Sequence, residues 1–374
     1  MSQPEPPSVA SGVPTSPSAR PSPSPPPSAF GAPAGSAQLR ATAEDFVVDE
    51  WLEIEPDGAG EHLWLQLRKR GENTAWVARQ LARVLGVAQR QVSYAGLKDR
   101  HAVTSQWFSV HCPPDAELEG AGQESRLAAQ LPDSVEVLHM ARHRRKLRRG
   151  AHRGNHFHIT LREFAGDRDE TERRLAAITA GGFANYFGEQ RFGHDGGNLL
   201  AARRLLRGEL RRVDRNRRGL YLSAARSALF NCLLAARIED GSWRRVAAGQ
   251  TLMLDGSHST FRVDADTDAA ELAALQARHD ALDLHSSGAL WGRGEADPGE
   301  AELLADEAEL CRGLEGAGLD MARRALRAQA RELRWEWCGA DGLALRFTLD
   351  AGVFATSLLR ELVDWRGDAG GDEQ

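Results

Sequence analysis

Residues 94–110, YAGLKDRHAVTSQWFSV, set one carboxylate, Asp99, between two cations, Lys98 and Arg100, just after a glycine and just before a strand-like run. An acid between cations is held as the anion, which suits a nucleophile or an electrostatic stabiliser better than a proton donor. No second acid stands in the same motif. Glycoside hydrolysis needs paired carboxylates, and a metal-dependent nuclease needs an Asp or Glu cluster to hold its ions, so neither class fits well. The plain alternative is a turn residue in a salt bridge. If Asp99 does chemistry, the class that remains is covalent work by a single carboxylate.

The charge pattern points to the partner. The chain of 374 residues carries a formal net charge of −6, yet residues 142–153, RHRRKLRRGAHR, hold seven Lys or Arg and no acid. Residues 203–218, RRLLRGELRRVDRNRR, add eight Arg against two acids. One such run alone reads as a solvated face. Two runs bracketing a candidate site favour a phosphate-rich partner. Phe157 between His156 and His158, just after the first run, suits base stacking, so nucleic acid, and RNA above DNA, leads the partner classes.

The elements that must position these groups are readable from periodicity. Residues 1–37 are mostly Pro, Ser, Ala and Gly and hold eleven of the 16 prolines, the composition of a disordered tail. Phe46, Val47, Val48 and Trp51 mark a first strand, and Leu63, Leu65 and Leu67 a second at period two. Asn73 is placed to cap a helix with core face Trp76, Val77, Leu81, Val84 and Leu85, closed by Gly86. Strands follow from Trp107 and Asn155. From about residue 181 the texture turns helical, and strand signals return from Arg331, with residues 339–342 as a hairpin turn. A largely helical region is thus inserted into an α/β sheet domain. The four cysteines form no CxxC pair and indicate neither a disulfide framework nor a zinc site. No run approaches the roughly 18 apolar residues of a membrane helix, and no signal peptide is evident, so the cytoplasm is expected.

Six motifs, in order across residues 39–364, carry a family resemblance. They are YAGLKDRHAVTSQWFSV, GEHLWLQLRKRGENTAWVARQLA, RGNHFHITLR, NYFGEQRFGHDGGNL, GALWG and AGVFATSLLRELV, which together resemble the TruD family of transfer RNA pseudouridine synthases. The resemblance implies an α/β (α+β) pseudouridine-synthase mixed β-sheet catalytic domain over residues 38–180 and 329–366. It also implies an inserted family-specific domain over residues 181–328, with residues 367–374 a flexible C-terminus. The family's nucleophilic aspartate falls on Asp99. Its substrate-binding residues fall on Phe46, Asn155, Phe157 and Phe354, and its basic partner of the nucleophile on Arg40. An Asn can pair with the edge of a flipped uracil while Phe rings hold its face. For a lone Phe, core packing is the plainer reading; the motif match argues the other way for Phe46 and Phe354 and leaves Phe157 balanced. The NYFGEQRFG motif, residues 185–193, reads as a brace for the junction with the insert. The proline-rich tail and Val353 depart from the family pattern without touching the chemistry. The implied reaction is isomerisation of uridine 13 of transfer RNA by a monomer, with no metal and no cofactor. A catalytically silent RNA-binding or RNA-folding module is the alternative, and it would not need an ionised Asp99.

Overall fold

The computed structural model describes residues 26–112 and 122–366. In chain order the large-sheet part begins with β1 (Gly35–Leu39), β2 (Phe46–Trp51), β3 (His62–Arg70), α1 (Thr74–Val84), β4 (Val92–Tyr94), β5 (Val103–His111), α2 (Gln123–Ala128), β6 (Val135–His143), β7 (Gly154–Gly166) and α3 (Arg168–Gly181). It resumes with β14 (Arg331–Cys338), β15 (Gly342–Asp350), α9 (Ala355–Arg360) and β16 (Val363–Arg366) after an insert described below.

These strands form one mixed sheet in the order β14-β15-β7-β2-β5-β3-β6. β2 runs parallel to β5, β1 pairs parallel with β16 and antiparallel with β7, and β4 adds to β5. The expected mixed α/β sheet is therefore present. Period two decides which side chains face inward. Leu63, Leu65 and Leu67 of β3 are sealed against Val77 and Leu81 of α1, each fully buried apolar side chain contributing about 1.5–3 kcal/mol. Asn73 caps α1 by accepting from the Trp76 amide at 2.8 Å, and Gly86 follows at φ +63°.

The insert comprises β8 (Phe183–Ala184), α4 (Gly197–Leu206), α5 (Arg215–Glu239), β9 (Thr251–Leu254), β10 (Thr260–Arg262), α6 (Ala269–Asp280), β11 (Leu284–Leu290), α7 (Glu300–Leu303), α8 (Ala308–Gly316), β12 (Ala322–Ala325) and β13 (Arg327–Ala328). Beside its helices it carries a four-stranded sheet, β10-β9-β11-β12, which periodicity did not reveal because three of those strands are only three or four residues long. The pair β8–β13 brings the two ends of the insert together. α5 is long and apolar enough to cross a membrane by length and composition alone, a test that a core helix also passes. Here it is the central helix of the insert, burying Leu222, Leu229 and Leu233 on one side and Phe230 and Leu234 on another.

One expectation needs correction. The tail was placed at residues 1–37, but order begins earlier, and residues 26–37 pack. Tyr186 donates to the Pro27 carbonyl at 3.1 Å, Phe30 packs on the core, and Arg174 donates to the Ala32 carbonyl at 2.6 Å. The Ala34 amide donates to the Leu362 carbonyl at 2.9 Å, and β1 follows. Composition failed there because Ala, Gly and Ser supply little apolar area, yet their backbone groups can still pair. The tail reading for residues 1–25 and the flexible end at residues 367–374 fall outside the described residues.

Candidate active site

Asp99 lies in the loop between β4 and β5, and four neighbouring elements fix that loop's backbone. From β5, Gln106 donates to the Gly96 carbonyl at 3.1 Å. At the start of α1, Thr74 accepts from the Lys98 amide at 3.0 Å and donates to Gln106 at 2.8 Å. From β3, the Lys69 ammonium donates to the Asp99 carbonyl at 2.7 Å. From β2, Glu50 holds the Lys98 ammonium at 2.9 Å, both side chains being buried. A side chain on Gly96 would meet the His152 ring at 3.2 Å, so the glycine admits a close neighbour. Burial, then Lys98, lowers the His152 pKa below the usual histidine range, which keeps that ring neutral.

The carboxylate itself stays accessible, at 30% exposure. Its Oδ2 accepts from Arg40 Nη2 at 2.7 Å, and its Oδ1 lies 3.4 Å from Gln190 Nε2. Arg40 follows β1, is 7% exposed, and sits in the left-handed region at φ +58°, a conformation that an L-residue adopts only under constraint. Its guanidinium lies 4.2 Å over the Phe46 ring, and its Nε is buried without an acceptor. The cations next to Asp99 in sequence do other work. Lys98 turns to Glu50, and Arg100 Nε faces the Gly71 carbonyl at 3.3 Å. The expected flanking pair is thus replaced by Arg40, because successive loop residues point different ways.

The other expected residues fall into three settings. Phe46 and Phe157 are both buried in the sheet core, edge to face at 6.3 Å, with Phe157 stacked on Phe347 at 5.2 Å. Asn155 lies two residues before Phe157 on β7, in register with Glu50 of β2 and Leu349 of β15. Its Oδ1 is buried with no hydrogen-bond partner, an orphan that folding alone leaves unexplained. Phe354 precedes α9, is partly buried, and meets Phe187 edge to face at 6.0 Å. Gly188 makes room for it, since a Cβ there would come within 3.0 Å of both Phe354 and Thr356. Arg40 and Asp99 thus meet directly, Asn155 adjoins them through Glu50 and Lys98, and Phe354 adjoins through the segment that carries Gln190.

Glu50, Lys69, Thr74, Gln106 and Gln190 were not singled out in the sequence. Two of them carried a signal. Glu50 continues the inward face of Phe46 and Val48, and Lys69 that of Leu63, Leu65 and Leu67, so period two already marks both as buried charges. Gln190 gave none; it reaches Asp99 from 91 residues away, across the joint with the insert.

Comparison with known proteins shows the family. The model of the family tRNA pseudouridine synthase D (TruD) matches residues 30–212 and 197–362. The chain is 48% identical over 335 residues to tRNA pseudouridine synthase D of Methylococcus capsulatus, covering 88% of this chain and 91% of that protein. It is 46% identical over 344 residues to the protein of the same name from Pseudomonas aeruginosa, covering 90% and 93%. In fold it is similar to a crystal structure from Methanosarcina mazei described as a candidate tRNA pseudouridine synthase D, with TM-score 0.66 and 21% identity over 90% of this chain and 95% of that one. Fold and sequence agree on the class, a pseudouridine synthase built on a mixed sheet with an inserted domain. The chain belongs to the tRNA pseudouridine synthase D family.

Proposed function

We propose that the chain isomerises uridine 13 of transfer RNA to pseudouridine, with Asp99 as nucleophile on a flipped-out base. The observation that carries this reading is an accessible carboxylate on a loop fixed from four elements and gripped by one buried arginine. A silent RNA-binding module would have no use for such preorganisation. The reaction breaks the N1–C1′ bond, turns the base and forms the C5–C1′ bond, while C5 loses a proton and N1 gains one. It is internally balanced and calls for no redox partner. An aspartate adduct, at the ring or at the sugar carbon, holds the intermediates. Arg40 keeps Asp99 aimed, Asn155 offers its unpartnered amide oxygen to a donor on the uracil edge, and Phe354 supports the base face. Phe46 and Phe157 act from beneath, as the floor of the site. The working partner is transfer RNA, the setting the cytoplasm, and the unit a single chain.

Asp99→Asn tests this. The amide is nearly isosteric but a far poorer nucleophile, so turnover should vanish while RNA affinity stays within a few fold. Residual activity above about a tenth of wild type, in protein shown free of deamidation, contradicts the role of Asp99.

A further inference from the structure

Phe187 sits between two guanidinium groups. Arg324 of β12 lies 4.0 Å over its ring, and Arg191, one residue after Gln190, lies 5.3 Å from it and 6.0 Å from the Phe354 ring. Among the described residues neither arginine has a carboxylate within ion-pair distance. Arg324 donates to the Asn185 side chain at 2.5 Å and to the Asn185 and Gly352 carbonyls. Arg191 reaches the Ser223 hydroxyl at 3.1 Å and leaves its Nε buried without an acceptor. The acid nearest in sequence, Glu189, turns outward to Arg360 at 3.2 Å. Two other arginines of the insert are neutralised: Arg323 meets Asp297 and Glu300, and Arg203 meets Glu307. Burial pushes Arg324 down to about 9, with Arg191 adding to the fall, and burial lowers Arg191 as well; both remain cationic near neutrality. Two like charges held together without an anion are costly if their task is only to brace an aromatic ring.

Their place says what the missing anion is. Gln190 approaches Asp99, and Arg324 holds the Gly352 carbonyl of the loop that leads to Phe354. The two cations therefore form the insert's wall of the site. We propose that Arg191 and Arg324 seat one backbone phosphate of the RNA strand beside the reacting uridine. This rests on Asp99 as the reacting carboxylate. Once the glycosidic bond breaks, base and ribose are separate and must be held separately. Asn155 keeps the base, and the arginine pair keeps the ribose through its phosphate, so that C5 returns to the same C1′. Arg324 commits Nε and Nη2 to Asn185 and Gly352, and Arg191 commits Nη1 to Ser223, so each would offer its remaining Nη donor to one phosphate oxygen, a charge-assisted hydrogen bond.

The test is a scan of single methylphosphonate substitutions, which remove one phosphate charge, at the positions flanking the target uridine. Binding and single-turnover rate are measured with wild type, Arg191→Gln and Arg191→Lys. One position should weaken wild-type binding about tenfold or more, the scale of a charged hydrogen-bonded contact, and add nothing further in Arg191→Gln. Arg191→Lys should keep the salt dependence and recover part of the loss. Equal penalties in wild type and Arg191→Gln at every position overturn the proposal, as does a fall in melting temperature with unchanged affinity. If Arg191→Gln does not fold, the same scan on Arg191→Lys decides, with a reduced penalty expected at that one position alone. An active Asp99→Asn variant would overturn the nucleophile yet leave the phosphate scan readable, so the two failures are distinguishable.

Discussion

At the scale of the residue, the site depends on one strained arginine. Arg40 adopts a left-handed backbone, stacks on Phe46 and grips Asp99 at 2.7 Å. Arg40→Gln should lower the single-turnover rate by about a hundredfold, the scale for losing one preorganised polar partner, with RNA affinity nearly unchanged. Arg40→Lys should recover part of that loss. Equal single-turnover rates for wild type and Arg40→Gln would show that the pair is structural only. The sequence told unevenly on these residues. Asp99 stood out from its neighbours, but its cation lies 59 residues away and was reached only through the family motif. Glu50 and Lys69 were legible in principle, as charges on the apolar face of a strand. Gln190 and the Arg191–Arg324 pair were not, because tertiary contacts between separated motifs make them, and no local pattern encodes such contacts.

At the scale of the element, the segment before β1 behaves as a strap. Glu361 is almost fully buried, and burial pushes its carboxyl up against the hydrogen bonds from Ser28 and the Phe30 amide that hold it. Removing residues 1–25 should leave the melting temperature unchanged, as their composition suggests. Removing residues 1–34 strips Ser28 and the Phe30 amide from Glu361, and each lost hydrogen bond to a charged group is worth about 1.5–3 kcal/mol. A fall of several degrees is expected, and equal melting temperatures for the two truncations would refute the strap. The joint with the insert should be sensitive to pH. Arg327 of β13, fully buried, donates to His285 and to the His279 and Leu284 carbonyls; His285 meets Asp255 at 2.9 Å, and Asp255 meets Arg331 of β14 at 2.9 Å. Burial, then Arg327 and His285, pushes His279 down to about 4, and neither of its ring nitrogens has a hydrogen-bond partner; Asp280 stops 3.6 Å away. Burial alone would raise Asp255, but hydrogen bonds from His285 and Arg331 bring it to about 2. Both folded pKa values lie below their unfolded ones, so the unfolded chain binds more protons and stability rises with pH. The His279 contribution is complete above about 6.5 and is lost as pH falls towards 4, while that of Asp255 is lost below about 4. His279→Leu should therefore flatten melting temperature against pH between 6.5 and 4, and an unchanged slope would point to other groups.

At the scale of the whole molecule, the two basic runs divide. In the first, Arg145, Lys146, Arg148 and Arg149 are exposed, with no ion pair among the described residues. In the second, Arg203 and Arg207 lie against Glu307 and Glu309, Arg204 against Glu209, and Arg217 against Asp214. Half of the arginines in the second run are thus paired, two of them by acids of α8 and its flank and two by acids of the run itself, while Arg211, Arg212, Arg215 and Arg218 are exposed with no ion pair among the described residues. Replacing Arg145, Lys146, Arg148 and Arg149 of the first run with Gln should flatten the log affinity versus log salt slope by roughly 0.7–0.9 per lost phosphate contact. Replacing Arg203 and Arg207 should leave it unchanged. The reverse pattern would place the RNA path along α4 and α5. The fold as a whole was more legible than the site, since long strands and helices announce themselves by period, while β1 and the short strands of the insert do not.

The pairing of β1 with β16 has a consequence for synthesis. Gly35 lies opposite Val363 and Gln38 opposite Arg366, so the strand leading into Arg40 gains one of its two neighbours only after residues 363–366 have left the ribosome. Such distant pairing is late and slow to form. The insert and the exposed basic surface can fold before then. A nascent chain would therefore be able to hold RNA before it can act on it, and a chain stalled before Val363 would bind without turning over.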